Sequence, residues 1–124
     1  MGRNEDIKVV LEDLLKMEDV QACLLAGSHT GTITPTGNVK LKNLTLWKLI
    51  MDTTYKFFSI ANDFFRYGLR ELNFELGEYN IIMSFIDPST ALITVVPNLA
   101  NMGIIGVEIE NTKRDIEKII SVKA

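Results

Sequence analysis

The sequence predicts an α+β domain, with three helices around an antiparallel sheet of about five strands in the order α-β-β-α-β-β-β-α. Two observations carry this expectation. Apolar residues recur at helical spacing in three separate stretches, and between these lie short β-branched or alternating runs bounded by glycine, proline and asparagine. The 124 residues leave no room for a second independent core, so residues 1–124 are expected to form one domain.

The elements follow in chain order. Asn4 is placed to cap a first helix, with Glu5 and Asp6 complementing its positive end and Ile7, Val10, Leu11 and Leu14 on one face. Val20 to Ala26 is an apolar run of strand length. The turn Gly27-Ser28-His29-Thr30-Gly31 and the β-branched Thr32-Ile33-Thr34 complete a hairpin, and Pro35, Gly37 and Asn38 begin a loop.

The stretch from about Leu44 to Tyr67 is the most informative. At roughly 100° per residue, Thr45, Lys48, Asp52, Lys56, Ser59, Asp63 and Arg66 share one polar stripe, with Asp52 and Lys56 spaced for an i,i+4 pair. The apolar remainder covers an arc of about 200°, twice what an ordinary surface helix shows. One flank, Leu46, Leu49, Ile50, Phe57, Ile60 and Phe64, suffices to cover a sheet. The other, Trp47, Met51, Phe58, Ala61 and Phe65, then needs a second surface, which another copy of the chain could supply.

Beyond this helix, Leu72-Asn73-Phe74-Glu75-Leu76 alternates strictly and reads as a half-exposed strand. Gly77-Glu78 forms a tight turn. Tyr79 to Ile86 and Ala91 to Val96 are nearly continuous apolar runs, expected as strands buried on both faces and separated by Asp87-Pro88-Ser89-Thr90. Asn98 or Asn101 caps a last helix that buries Ile105, Ile109, Ile116, Ile119 and Ile120.

Composition narrows the function. At 47% hydrophobic and 23% charged, the chain is not intrinsically disordered. Thirteen basic against sixteen acidic residues leave a net charge of −3, which argues against nucleic acid as a partner. One cysteine, Cys23, excludes an internal disulfide, and one histidine leaves too few soft ligands for zinc. Residues 88–107 carry no charge, but Pro88, Pro97, Asn98, Asn101 and two glycines interrupt them, which argues against a membrane span. The N-terminus opens on charges with no apolar run, and Asp6 stands where a myristoylation signal has Ser or Thr. A cytoplasmic protein with no membrane insertion is expected.

No catalytic constellation emerges. Ser28 and His29, with Asp52, Asp63 or Asp87, would need the histidine between nucleophile and carboxylate, and adjacent turn residues rarely provide that. The turn lacks the lysine of a phosphate-binding loop. Gly103-Met-Ile-Gly106 is no dinucleotide fingerprint; its glycines are expected to let the helix start approach another backbone closely. Cys23, among apolar neighbours, reads as a buried small hydrophobe. No cofactor, metal or enzymatic activity is expected.

The succession of elements resembles the roadblock/dynein-light-chain family over nearly the whole chain. The residues that carry it are Leu11-Glu12-Asp13-Leu14-Leu15 followed by Val20-Gln21-Ala22-Cys23-Leu24-Leu25, the hairpin Gly27 to Ile33 with Gly31 at the family's glycine, the long apolar helix, and Asn98-Leu99-Ala100-Asn101-Met102-Gly103-Ile104-Ile105. Two departures stand out: Ser28-His29 where members often have an acidic residue, and Gly106 where many carry a basic one.

The resemblance implies a roadblock/profilin-like sandwich and a noncatalytic homodimer, with pairing to a paralogue as an alternative. Its middle strands, Leu72, Asn73, Phe74, Glu75 and Leu76, would pair antiparallel, and its second helices would pack side by side through Trp47, Met51, Phe58, Ala61 and Phe65. Prokaryotic members of the family regulate Ras-like small GTPases, so such a GTPase is the implied partner. The expected contact surface is the polar stripe Lys48, Asp52, Lys56, Ser59 and Asp63. Two other classes stay open. One is a structural adaptor joining larger assemblies without effect on hydrolysis. The other is a small-molecule sensor, disfavoured because no convergent polar set suggests a pocket.

Overall fold

A computed structural model describes residues 2–28, 31–35 and 40–121. Helix α1 (Gly2–Leu15) leads into the hairpin β1 (Ala22–Gly27) and β2 (Gly31–Ile33); helix α2 (Leu44–Phe64) ends in a 3-10 turn, Phe65–Tyr67. Strands β3 (Glu71–Leu76), β4 (Tyr79–Asp87) and β5 (Thr90–Pro97) follow, then helix α3 (Met102–Ser121). The fold is α+β, with the five strands in one antiparallel sheet ordered β2-β1-β5-β4-β3. Placing β5 beside β1 makes β4 and β5 central, which is why their sequences are apolar at nearly every position while β3, at the edge, alternates.

The two faces of the sheet have separate cores. Cys23, Leu25, Ile82, Leu92 and Val96 face α1 and α3, meeting Ile7, Leu11, Ile105, Ile109 and Ile116. The alternate residues, among them Leu24, Ile81, Met83, Phe85, Ile93 and Val95, face α2 and meet Ile50, Phe58 and Ala61. Each fully buried aliphatic or aromatic side chain contributes about 1.5–3 kcal/mol.

Local chemistry sets the boundaries. Asn43 Oδ1 accepts from the Leu46 amide at 3.0 Å and caps α2; Asn101 Oδ1 accepts from Gly103 and Ile104 at 3.0 and 3.3 Å and caps α3. Asn98 instead ties the end of β5 to the β3–β4 turn, its amide bonding the Glu78 carbonyl and its side chain the Gly77 carbonyl. Gly77 sits at φ +60° in that turn, and Gly68, at φ +104°, ends the 3-10 turn. Asn4 lies inside α1 rather than before it, because the helix begins at Gly2. An added Cβ on Gly106 would meet open space and one on Gly103 would meet only the Asn101 cap at 3.3 Å, so neither glycine marks a close backbone approach among the described residues. His29 of the expected hairpin tip, and Gly37 and Asn38 of the loop, lie outside the described residues.

Candidate functional site: the outer faces of helix α2 and strand β3

The apolar arc of α2 is too wide for one sheet, and the structure shows which part the sheet takes. Ile50, Thr54, Phe58 and Ala61 are buried beneath the helix. Phe58 stacks edge-on against Phe85 of β4 with ring centroids 6.1 Å apart. Trp47, Met51 and Phe65 are half-buried against the same core. Phe65 also lies under the Arg70 guanidinium, 3.8 Å from its ring centroid, while Arg70 donates to the Phe65 and Leu69 carbonyls.

This corrects the expected assignment of the two flanks. Phe58 and Ala61 belong to the chain's own core, whereas Trp47, Met51 and Phe65 pack against it and keep part of their surface exposed. Leu49, Ile60 and Phe64, expected to cover the sheet, are instead about half exposed, at 49%, 45% and 54%. They share a side of α2 with Phe57, whose ring meets Phe74 of β3 edge-on at 5.3 Å. The unsatisfied apolar flank therefore runs along the β3 edge of the molecule.

Strand β3 continues that surface. Leu72, Phe74 and Leu76 point toward α2 and are half-buried; Glu71, Asn73 and Glu75 point the other way and are exposed, with Asn73 Nδ2 donating to Glu71 Oε2 at 3.1 Å. As the last strand in the sheet, β3 has a backbone edge that no other strand among the described residues covers.

The polar stripe lies where the sequence puts it. Lys48, Asp52, Lys56, Ser59 and Asp63 are all exposed on the side of α2 away from the sheet. Asp52 pairs with Lys48, Nζ to Oδ2 at 3.4 Å, rather than with Lys56 as the spacing had suggested. This leaves the Lys56 ammonium outside that pair, and the Ser59 hydroxyl donates back to the Lys56 carbonyl at 2.8 Å. With both partners of the Lys48–Asp52 pair largely in water, it adds little to stability.

Beside the stripe, Tyr55, Phe58, Ser59 and Asn62 line a shallow depression of about 410 Å³, closed by Ser28, Pro88 and Ser89 from two turns. Partial burial raises the Tyr55 phenol above its ordinary value. Burial pushes the Cys23 thiol up to about 12, and Sγ donates to the Leu11 carbonyl at 3.3 Å. Among the described residues no cluster of His, Cys, Asp and Glu could hold a metal ion, and no helix is long and apolar enough to cross a membrane.

Two layers of helices on a β2-β1-β5-β4-β3 sheet match known structures over nearly the whole chain. The fold is that of a roadblock/LC7 domain. The chain superimposes on the roadblock/LC7 domain from Streptomyces avermitilis with a TM-score of 0.71 at 14% identity, covering 94% of this chain and 98% of that one. For MglB from Myxococcus xanthus the TM-score is 0.73 at 15% identity, with 96% and 90% covered. For the gliding protein MglB from Thermus thermophilus it is 0.67 at 16%, with 96% and 91% covered. No family model and no curated protein matches the sequence.

On the exposed apolar flank, sequence reasoning misplaced Leu49, Ile60 and Phe64, which it set against the sheet. One signal was available. Ala61 is the small residue among bulky ones in the apolar arc, and a helix packs closest to a sheet where its side chain is shortest. It thereby marks the sheet-facing line that Ile50 and Phe58 share.

Proposed function

We propose that the protein is a noncatalytic homodimeric regulator or docking platform for a Ras-like small GTPase, acting in the cytoplasm and possessing no active site of its own. The observation that supports it most is the division of α2 into three longitudinal strips: a buried line on the sheet, an apolar flank continuous with the free β3 edge, and an exposed polar stripe. The apolar flank and β3 serve self-association, and the polar stripe remains open for a partner. The roadblock fold, shared with MglB, is consistent with this reading.

A GTPase docked on the stripe would meet Lys48, Asp52, Lys56, Ser59 and Asp63 from both subunits, and stimulation of hydrolysis would follow from repositioning the GTPase's own groups. No arginine of the regulator need enter the nucleotide site, although conventional activators use one. Reversing charge with Lys48→Glu and Lys56→Glu is expected to weaken GTPase binding at least tenfold in a titration while sedimentation shows the dimer unchanged. Equal affinity for variant and wild type would remove the stripe from the interface.

A second reading is a structural adaptor, favoured by one specific observation. The first turns of α3, on the opposite face of the sheet from α2, expose Ile104 and Val107, and Leu99 before them is almost wholly exposed. Saturating a GTPase with the protein and following phosphate release separates the two: an unchanged hydrolysis rate supports the adaptor.

A further inference from the structure

We infer that the start of helix α3 is a docking surface for a cationic amphipathic helix of another protein. The surface lies across the sheet from α2, so the inference goes beyond the GTPase reading. It rests on the exposed residues behind the adaptor reading and gives them a partner of stated chemistry.

Helix α3 turns a smooth apolar face to solvent. At roughly 100° per residue, Gly103, Ile104, Gly106, Val107 and Glu110 share an arc of about 160°. That arc faces away from Ile105, Ile109 and Ile116, which pack on the sheet, and it leaves Ile104 and Val107 more than half exposed. Leu99 stands at its end, almost wholly in water. Gly103 has a reason inside the chain, since an added Cβ would press on the Asn101 cap. Gly106 has none among the described residues: it lies within the helix without a positive φ, and a Cβ on it would meet open space. Glycine there weakens the helix relative to most other residues. Its missing side chain leaves a notch beside Val107, and such a notch admits the ridge of a second helix.

Charge selects the occupant. Between Arg70 and Lys113 every charged residue is acidic: Glu71, Glu75, Glu78, Asp87, Glu108 and Glu110. Three of these rim the surface. Glu108 and Glu110 lie on α3 itself, and Asn98, bonded to the Gly77 and Glu78 carbonyls, holds the β3–β4 turn beside Leu99. Among the described residues none of Glu78, Glu108 and Glu110 enters an ion pair. Helix α1 runs antiparallel to α3, with Leu14 near Glu108 and Asn4 near Ile120, so its end lies toward the start of α3. The lysines there are engaged: Lys16 with Asp13 at 3.4 Å, and Lys40 with the Met17 and Glu18 carbonyls at 2.7 and 3.3 Å. A second copy, or an anionic lipid surface, would set like charges together on this face. Lysines and arginines flanking an apolar helical stripe would instead meet carboxylates while the stripe covers Ile104, Val107 and Leu99.

The probe is a labelled amphipathic helical peptide of about five turns built from leucine, alanine and lysine, with a counterpart carrying glutamate for lysine. Fluorescence anisotropy should show the lysine peptide bound roughly tenfold or more tightly than the glutamate peptide, a margin that added salt narrows. Ile104→Gln combined with Val107→Gln should weaken the lysine peptide by about tenfold. Gly106→Gln should weaken it by a similar factor while raising Tm by about 2–4 °C, because glutamine favours the helix and fills the notch. Val9→Gln, at an exposed apolar site on α1, should leave affinity unchanged. Equal binding of the two peptides overturns the inference, as does affinity that survives the α3 variants or falls in Val9→Gln. A lower Tm in Gly106→Gln does so too, because it shows that the chain itself uses the notch. So does altered sedimentation of the α3 variants alone, which makes a second copy the occupant. The adaptor reading fails separately, by a change in phosphate release from a GTPase, whether or not the lysine peptide binds at α3.

Discussion

Truncating Phe58 and Phe64 one at a time tests how α2 is turned on the sheet. Phe58 is 5% exposed and packs on Phe85 and Tyr55, whereas Phe64, six residues later, is 54% exposed. Removing a buried phenylalanine ring costs about 3–5 kcal/mol through lost burial and the cavity left behind. A domain of this length is held by roughly 5–15 kcal/mol in all. Phe58→Ala is therefore expected to lower the urea midpoint by about 2 M, taking a slope of roughly 2 kcal/mol/M. Phe64→Ser should change monomer stability by no more than about 0.5 kcal/mol. At high protein concentration Phe64→Ser should lose stability relative to wild type, because the wild type gains from association and the variant does not. Unfolding curves by circular dichroism across a hundredfold range of concentration separate these effects. A Phe64→Ser variant as unstable as Phe58→Ala when dilute would show that Phe64 lies against the sheet and that the free flank is wrongly assigned.

Two further outcomes follow from the core. Among the described residues Thr94 Oγ1 is buried with no hydrogen-bond partner, beside Cys23 and Ile82 in the sheet. Thr94→Val keeps the shape and removes the unmet group, so a gain of about 1 kcal/mol is expected, seen as a rise of roughly 3–5 °C in Tm; a loss would mean the hydroxyl is bonded. Cys23 should resist a thiol reagent in the folded protein and react at once in urea. Its folded pKa of about 12 lies above the ordinary value of 9.0, so the unfolded chain releases this proton first as pH rises. Stability should accordingly be insensitive to this group below pH 9 and decline above it by about 1.4 kcal/mol per unit, an effect absent in Cys23→Ala.

How far the sequence could be read depended on how many surfaces each element had to satisfy. The alternation of Glu71 to Leu76 against the continuous apolar runs of β4 and β5 distinguishes an edge strand from central ones, because burial on one face or two leaves different patterns. Asn101 and the isoleucines at 105, 109 and 116 locate α3 for the same reason. Helix α2 is different: an arc of about 200° is compatible with many rotations about the helix axis, and periodicity alone cannot choose among them. The sheet chooses, through the fit of Phe58 on Phe85 and Phe57 on Phe74, and this draws Phe58 and Ala61 into the core and leaves Leu49, Ile60 and Phe64 exposed. Asp52 had lysines four residues away on either side, and its preference for Lys48 is a rotamer choice that spacing does not encode. The polar stripe was legible because a charge on a helix of a small domain has nowhere to go but water.

The most direct test of the regulatory reading is capture of partners by the immobilised protein from lysate of its own cells, with GDP in one sample and a nonhydrolysable GTP analogue in the other. The account predicts that a small GTPase is retained mainly with the analogue and is lost when Lys48 and Lys56 are both changed to glutamate. Recovery of larger structural or enzyme subunits in both samples, with no GTPase in either, would contradict it and leave the adaptor.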